Sequence, residues 1–84
     1  MDHDDKNVTI YIEATPHSWP KNSEICYAQV VKLEFPDFVE GGGDTYSVKY
    51  KRGHGDKPEG PLPPGKCVKV KDGMIFNVSK TGQS

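Results

Sequence analysis

Between Lys66 and Val78 the chain alternates apolar and polar residues twice, on either side of Asp72-Gly73. The first run is Lys66-Cys-Val-Lys-Val70 and the second Met74-Ile-Phe-Asn-Val78. Successive side chains of a strand point to opposite faces, so each run has one face to bury and one to leave in water. Asp-Gly tolerates the positive φ of a tight turn, and the whole stretch predicts a β-hairpin. It continues into Ser79-Lys-Thr-Gly-Gln-Ser84, which holds one glycine and no apolar residue. A packed last strand that releases a short polar tail points to a protein used through its C-terminus.

The rest of the chain has little room for other devices. With 84 residues it makes one small domain, which buries only about 60–65% of its unfolded surface. Eleven basic residues against twelve acidic ones argue against a nucleic-acid partner, which calls for a basic excess. No apolar run approaches the ~18 residues of a membrane span. Met1-Asp-His-Asp-Asp5 is the opposite of a basic, apolar signal peptide, so the expected location is cytoplasmic, with no membrane partner. In a reducing compartment Cys26 and Cys67 are expected as two free thiols. Asn7-Val-Thr9 and Asn77-Val-Ser79 match a glycosylation acceptor, but on predicted strands of a chain without a secretion signal they read as accidental.

Residues 1–6 read as a charged, fraying tail. Val8-Thr-Ile-Tyr-Ile12 is a β-branched strand with Val8, Ile10 and Ile12 on one face and Thr9 and Tyr11 on the other. A turn at Ala14-Thr-Pro16 leads to a short second strand, His17–Pro20, whose Trp19 is expected to cover an edge of the core. After a polar connection over Lys21–Glu24 the apolar spacing lengthens. Ile25, Val30, Val31, Leu33 and Phe35 suit one helical face, and Pro36 stops the helix. Cys26 and Gln29 have the spacing of a capping box and Ile25 and Val30 that of a hydrophobic staple, although Ser23 is an alternative start. A helix of about ten residues holds only if it packs on a sheet. Asp37–Asp44 is a glycine-rich loop, Thr45–Tyr50 a third strand with Tyr46, Val48 and Tyr50 on one face, and Lys51–Pro64 a long loop.

Nothing here assembles a catalytic group, a cofactor site or a metal site. The loop Gly53–Gly60 lacks the Gly-Lys-Ser/Thr ending of a phosphate loop and opens no helix, so it reads as a solvated loop. His3, His17 and His54 read as surface residues. Cys67, alternating with Val68 and Val70, is expected to point away from the core. The chain is expected not to be an enzyme and to need no cofactor.

The predicted order is strand, strand, helix, strand, strand, strand. That order fits an α+β, ubiquitin-like β-grasp fold, a mixed sheet of four to five strands with one helix across one face, and a last strand that returns parallel to the first. Most of its core would come from Val8, Ile10, Ile12, Val30, Leu33, Val48, Val68, Val70, Phe76 and Val78. The domain would span 7–79, with 80–84 as a flexible tail.

Several stretches together resemble the bacterial multi-ubiquitin family of prokaryotic ubiquitin-like domains. They are Trp19-Pro20, Tyr27-Ala-Gln-Val-Val31, Phe35-Pro36, Tyr46-Ser-Val-Lys-Tyr-Lys-Arg-Gly53, Asp56-Lys-Pro-Glu-Gly60 and Val68–Val78, the stretch Lys69–Val78 being the most specific. The resemblance spans roughly residues 8 to 80, in a single copy. It implies a bacterial protein modifier that is not itself a catalyst. Its partners would be an activating enzyme, a conjugating enzyme, a JAB-type peptidase and target proteins joined at a lysine, as an isopeptide, or at another nucleophile, in an antiphage defence setting. A terminal glycine suits such chemistry, because no Cβ crowds the attacked carbonyl. Gly82 is the only candidate conjugation residue, so the bond between Gly82 and Gln83 would be the processing site. The Gly-Gly pair and arginine of the usual ubiquitin tail are absent.

The partner-binding surface is expected on the sheet face away from the helix, through Thr9, Tyr11, Cys67 and Lys69. Two other functions fit the same fold. One is a self-assembling structural β-grasp protein forming a homo-oligomer or filament through its long loops. The other is a sulfur carrier, which normally ends in Gly-Gly.

Overall fold

The computed structural model describes residues 6–43, 45–53 and 58–81. The expected tail residues 1–5, most of the Gly53–Gly60 loop including His54, and the processing residues Gly82 and Gln83 lie outside the described residues. Among the described residues, seven strands and one helix follow in the order β1 (Asn7–Ile12), β2 (Thr15–Pro20), β3 (Glu24–Cys26), α1 (Tyr27–Glu34), β4 (Tyr46–Lys51), β5 (Gly60–Pro61), β6 (Cys67–Lys69) and β7 (Ile75–Lys80).

The main sheet has the order β2-β1-β7-β4-β5, and β3 and β6 form a separate two-stranded sheet. β1 pairs antiparallel with β2 and parallel with β7, and β7 pairs antiparallel with β4. The C-terminal strand therefore lies at the centre of the sheet, beside the N-terminal one. With α1 packed on one face, this is the ubiquitin-like β-grasp arrangement expected from the sequence.

Alternation decides which face is buried. Val8, Ile10 and Ile12 of β1, Val48 of β4, and Phe76 and Val78 of β7 are buried beneath the helix residues Val30 and Val31. Helix α1 begins at the expected capping box: Cys26 is the N-cap, and its N–H donates to Gln29 Oε1 at 2.8 Å. Ile25 and Val30, the two members of the staple, are both fully buried. The helix ends at Phe35, before Pro36, with the Phe35 N–H on Val31 O at 2.7 Å. Trp19 packs against the core and donates its indole N–H to Glu24 O.

Three expectations are corrected. The runs flanking Asp72-Gly73 do not form a hairpin: β6 pairs with β3, while β7 pairs with β1 and β4. The turn is real, with the Met74 N–H on Lys71 O and Gly73 at φ +86°, but it docks on β1. Asp72 Oδ1 accepts the Thr9 N–H, and the Gly73 N–H donates to Thr9 O at 2.7 Å. That clamp turns the chain out of the small sheet and sets β7 alongside β1.

The first hairpin turns at Glu13-Ala14 rather than at Ala14–Pro16, and Pro16 lies within β2 opposite Tyr11. The core also differs in membership at two of the expected positions. Ile25, Tyr27, Phe38, Tyr46, Leu62 and Met74 belong to it, whereas Leu33 and Val68 are only partly buried against it. Phe38 and Leu62 sit in segments read as loops, and both turn inward.

Candidate functional site

The main sheet leaves one broad face to solvent, opposite the helix. On β1 the residues facing away from the core are Thr9 and Tyr11, on β7 Ile75, Asn77 and Ser79, and on β4 Ser47, Lys49 and Lys51. Register aligns them in rows, since Tyr11 lies opposite Ile75, Ile75 opposite Lys51, and Asn77 opposite Lys49. An open groove of about 650 Å³ runs along this face, lined by Tyr11, Glu13, Ala14, Arg52, Gly73, Ile75 and Asn77. Its lining combines the side chains of Tyr11, Ala14 and Ile75 with the Glu13 carboxylate and the Arg52 guanidinium.

The groove ends at a backbone device. β1 stops at Ile12, and Glu13 (φ 50°) and Ala14 (φ 73°) reverse the chain in a conformation that non-glycine residues rarely adopt. Glu13 continues the parallel ladder in two ways. Its N–H donates to Phe76 O at 3.0 Å, and its Oε2 accepts the Val78 N–H at 2.7 Å. A side chain thus takes over where the β1 backbone leaves, and β7 keeps a partner on that flank as far as Val78.

On the other flank β4 accompanies β7 to its end. Tyr46 lies opposite Lys80, the Thr81 N–H donates to Thr45 O at 3.0 Å, and the Thr45 and Thr81 hydroxyls share a 2.8 Å hydrogen bond. The strand reaches Lys80, past the boundary at 79 drawn from the sequence, and Thr81 is still tied to the sheet. Under the start of β4 the buried Tyr27 hydroxyl bridges both backbone groups of Tyr46, each at 3.0 Å.

Of the four residues expected to bind partners, Thr9 and Tyr11 lie on the open face, and Cys67 and Lys69 do not join them. Those two belong to β6, where Cys67 faces Cys26 and Lys69 faces Glu24 of β3. The expectation of free thiols is overturned, because Cys26 and Cys67 form a disulfide across β3 and β6, with Cα atoms 3.9 Å apart. The local reason is register. Tyr27 N–H bonds Lys66 O and Val70 N–H bonds Ser23 O, so the intervening cysteines occupy a non-hydrogen-bonded pair, the closer of the two antiparallel spacings.

Reading from sequence also missed Glu13, Lys49, Lys51, Arg52, Ile75 and Asn77. The alternation of Tyr46–Lys51 and Ile75–Lys80 held the signal for all but Glu13 and Arg52. Among the described residues no group of three or more His, Cys, Asp or Glu is placed to hold a metal ion. No helix among them is long and apolar enough to cross a membrane.

The multiubiquitin family model matches residues 8–82, nearly the whole chain. The chain belongs to the multiubiquitin family. Its β-grasp sheet is that of a ubiquitin-like protein, and the match closes at Gly82, two residues before the last in the sequence. Searches of curated proteins and of solved structures find no match to this chain.

Proposed function

We propose that this protein is a bacterial ubiquitin-like modifier, activated at the carboxylate of Gly82 after removal of Gln83-Ser84. The observation that carries the reading is the position of β7. The last strand is central, paired on both flanks, and tied to the sheet as far as Thr81, the residue before Gly82. Membership of the multiubiquitin family supports the same reading.

In this reading the chain is a substrate and not a catalyst. A JAB-type peptidase cleaves after Gly82. An activating enzyme adenylates the new carboxylate and takes it as a thioester, and a conjugating enzyme passes it to a lysine of a target protein as an isopeptide. The open face around Tyr11, Ile75 and Lys51 is the surface offered to these enzymes. The defence role against phage and the cytoplasmic location are parts of the proposal that rest on the family resemblance.

Intact-mass spectrometry tests it. Mixed with the peptidase of its own system, the chain is expected to lose Gln83-Ser84. With activating and conjugating enzymes and ATP it is then expected to form adducts that deletion of Gly82 abolishes. An unchanged mass with all three enzymes active on a control substrate contradicts the proposal.

A further inference from the structure

The Cys26–Cys67 bond plays no part in the proposed modifier chemistry, yet it joins the two strands of the smaller sheet at an accessible place. Cys67 is exposed and Cys26 half-buried, so the two sulfurs are not equally open to attack. Cys26 is moreover the N-cap of α1, an eight-residue helix, and stands with Gln29 in the reciprocal arrangement of a capping box. Helix N-terminal N–H groups favour an anion, and the sulfur that leaves more readily in thiol–disulfide exchange is the one whose thiolate is better stabilised. Exposure and leaving-group stability therefore select the same direction of attack.

We infer that Cys26–Cys67 is a reversible redox site that exchanges with a thioredoxin-type dithiol by attack at the Cys67 sulfur. A thiolate of the dithiol bonds to Cys67 Sγ, and the Cys26–Cys67 bond breaks with its electron pair going to Cys26, whose thiolate takes up a proton. The second thiol of the partner, deprotonated, then attacks its own bound sulfur and releases Cys67 as a thiolate, which is protonated in turn. The chain gains two electrons and two protons. The dithiol loses them and becomes a disulfide.

The consequence lies in β6. Its partner β3 offers only three residue pairs, and β6 exposes Cys67 and Lys69 with only Val68 partly buried between them. Once the covalent tie is broken, β6 relies on its three-pair ladder with β3, while β1 with β2 and β4 with β7 keep ladders of six pairs and the core they bury. Reduction loosens the strand that leads through Lys71–Met74 into the C-terminal strand and leaves the main sheet in place.

The experiment uses the full chain and a thioredoxin whose resolving cysteine is replaced by serine, so that the mixed disulfide cannot turn over. Peptide mapping is expected to find the trapped thioredoxin on Cys67. With intact thioredoxin, iodoacetamide is expected to label both cysteines under native conditions. Hydrogen exchange of the β6 amides should then accelerate at least roughly tenfold more than that of the β1 and β7 amides. The inference is overturned if the bond is reduced only after unfolding, if the trapped partner maps to Cys26, if the two thiols do not reoxidise in oxidised glutathione, or if exchange changes uniformly across the sheet. None of these readouts involves Gly82 or an activating enzyme, so failure here leaves the modifier proposal standing, and the reverse holds too.

Discussion

The Tyr27 hydroxyl donates to Tyr46 O and accepts from Tyr46 N inside an aromatic cluster completed by Phe35 and Phe38. It closes the start of β4 as a neighbouring strand would, in a place water does not reach. Tyr27→Phe keeps the ring and leaves two buried backbone groups without this partner, which costs about 1–3 kcal/mol. Urea unfolding should show a lower midpoint with an unchanged slope; an unchanged midpoint refutes the bridge. Ala14, at φ 73° in the first turn, is the opposite case, since a glycine there removes a steric cost. Ala14→Gly is expected to stabilise by about 0.5–1 kcal/mol in the same titration, and any loss of stability contradicts the turn as described. Neither residue announced its role in the sequence. Tyr27 reads as the first residue of a helix, and its partner lies nineteen positions away. Glu13 and Ala14 carry no glycine or asparagine to mark a turn of positive φ.

At the scale of elements, periodicity revealed the strands and hid their partners. Val8–Ile12, Thr45–Tyr50 and Met74–Val78 were legible because each alternates over several residues with one apolar face. Glu24–Cys26 was not, because three residues running into a helix give no period, and β5 was too short to leave one. The hairpin reading of Lys66–Val78 failed for a physical reason. Asp-Gly fits a tight turn whether or not the flanking strands pair, and here the Asp72 carboxylate and the Gly73 N–H find Thr9 instead.

The end of β7 carries its own prediction. In the trimmed chain only Gly82 would follow Thr81, which is tied to β4, and one residue spans no more than about 3.6 Å. An enzyme that threads the tail must therefore peel Thr81 and Lys80 from β4. Thr45→Val removes one hydroxyl bond of net worth about 0.5–1.5 kcal/mol, so tryptic cleavage after Lys80 should run roughly 2- to 10-fold faster in the folded protein. An unaltered rate would mean that the Thr45–Thr81 contact does not hold the strand end.

For the whole molecule, the order β2-β1-β7-β4-β5 places the first and last strands of the described chain side by side and parallel in the main sheet, with the two chain ends at opposite ends of those strands. Every link between β1 and β7 spans most of the sequence, and a chain this short has little core to offset the ordering of its backbone. The disulfide, closing a separation of 41 residues, acts on that balance through the unfolded state. The double variant Cys26→Ser, Cys67→Ser should lose about 2–4 kcal/mol relative to the oxidised protein, read by denaturant unfolding. Equal stability would leave the bond without a role in holding the fold. The fold class was readable because the sequence pattern and the order of elements agreed. The disulfide was not, since its register depends on β3, which the local sequence conceals.

The modifier reading turns on whether the carboxylate of Gly82 is a substrate for activation. The most direct measurement is the mass of the activating enzyme after incubation with ATP and the chain ending at Gly82. The expected result is an ATP-dependent adduct that thiols release and that a chain ending at Thr81 does not form. No adduct from an enzyme that is active on a control substrate, or an equal adduct from the chain ending at Thr81, would contradict it.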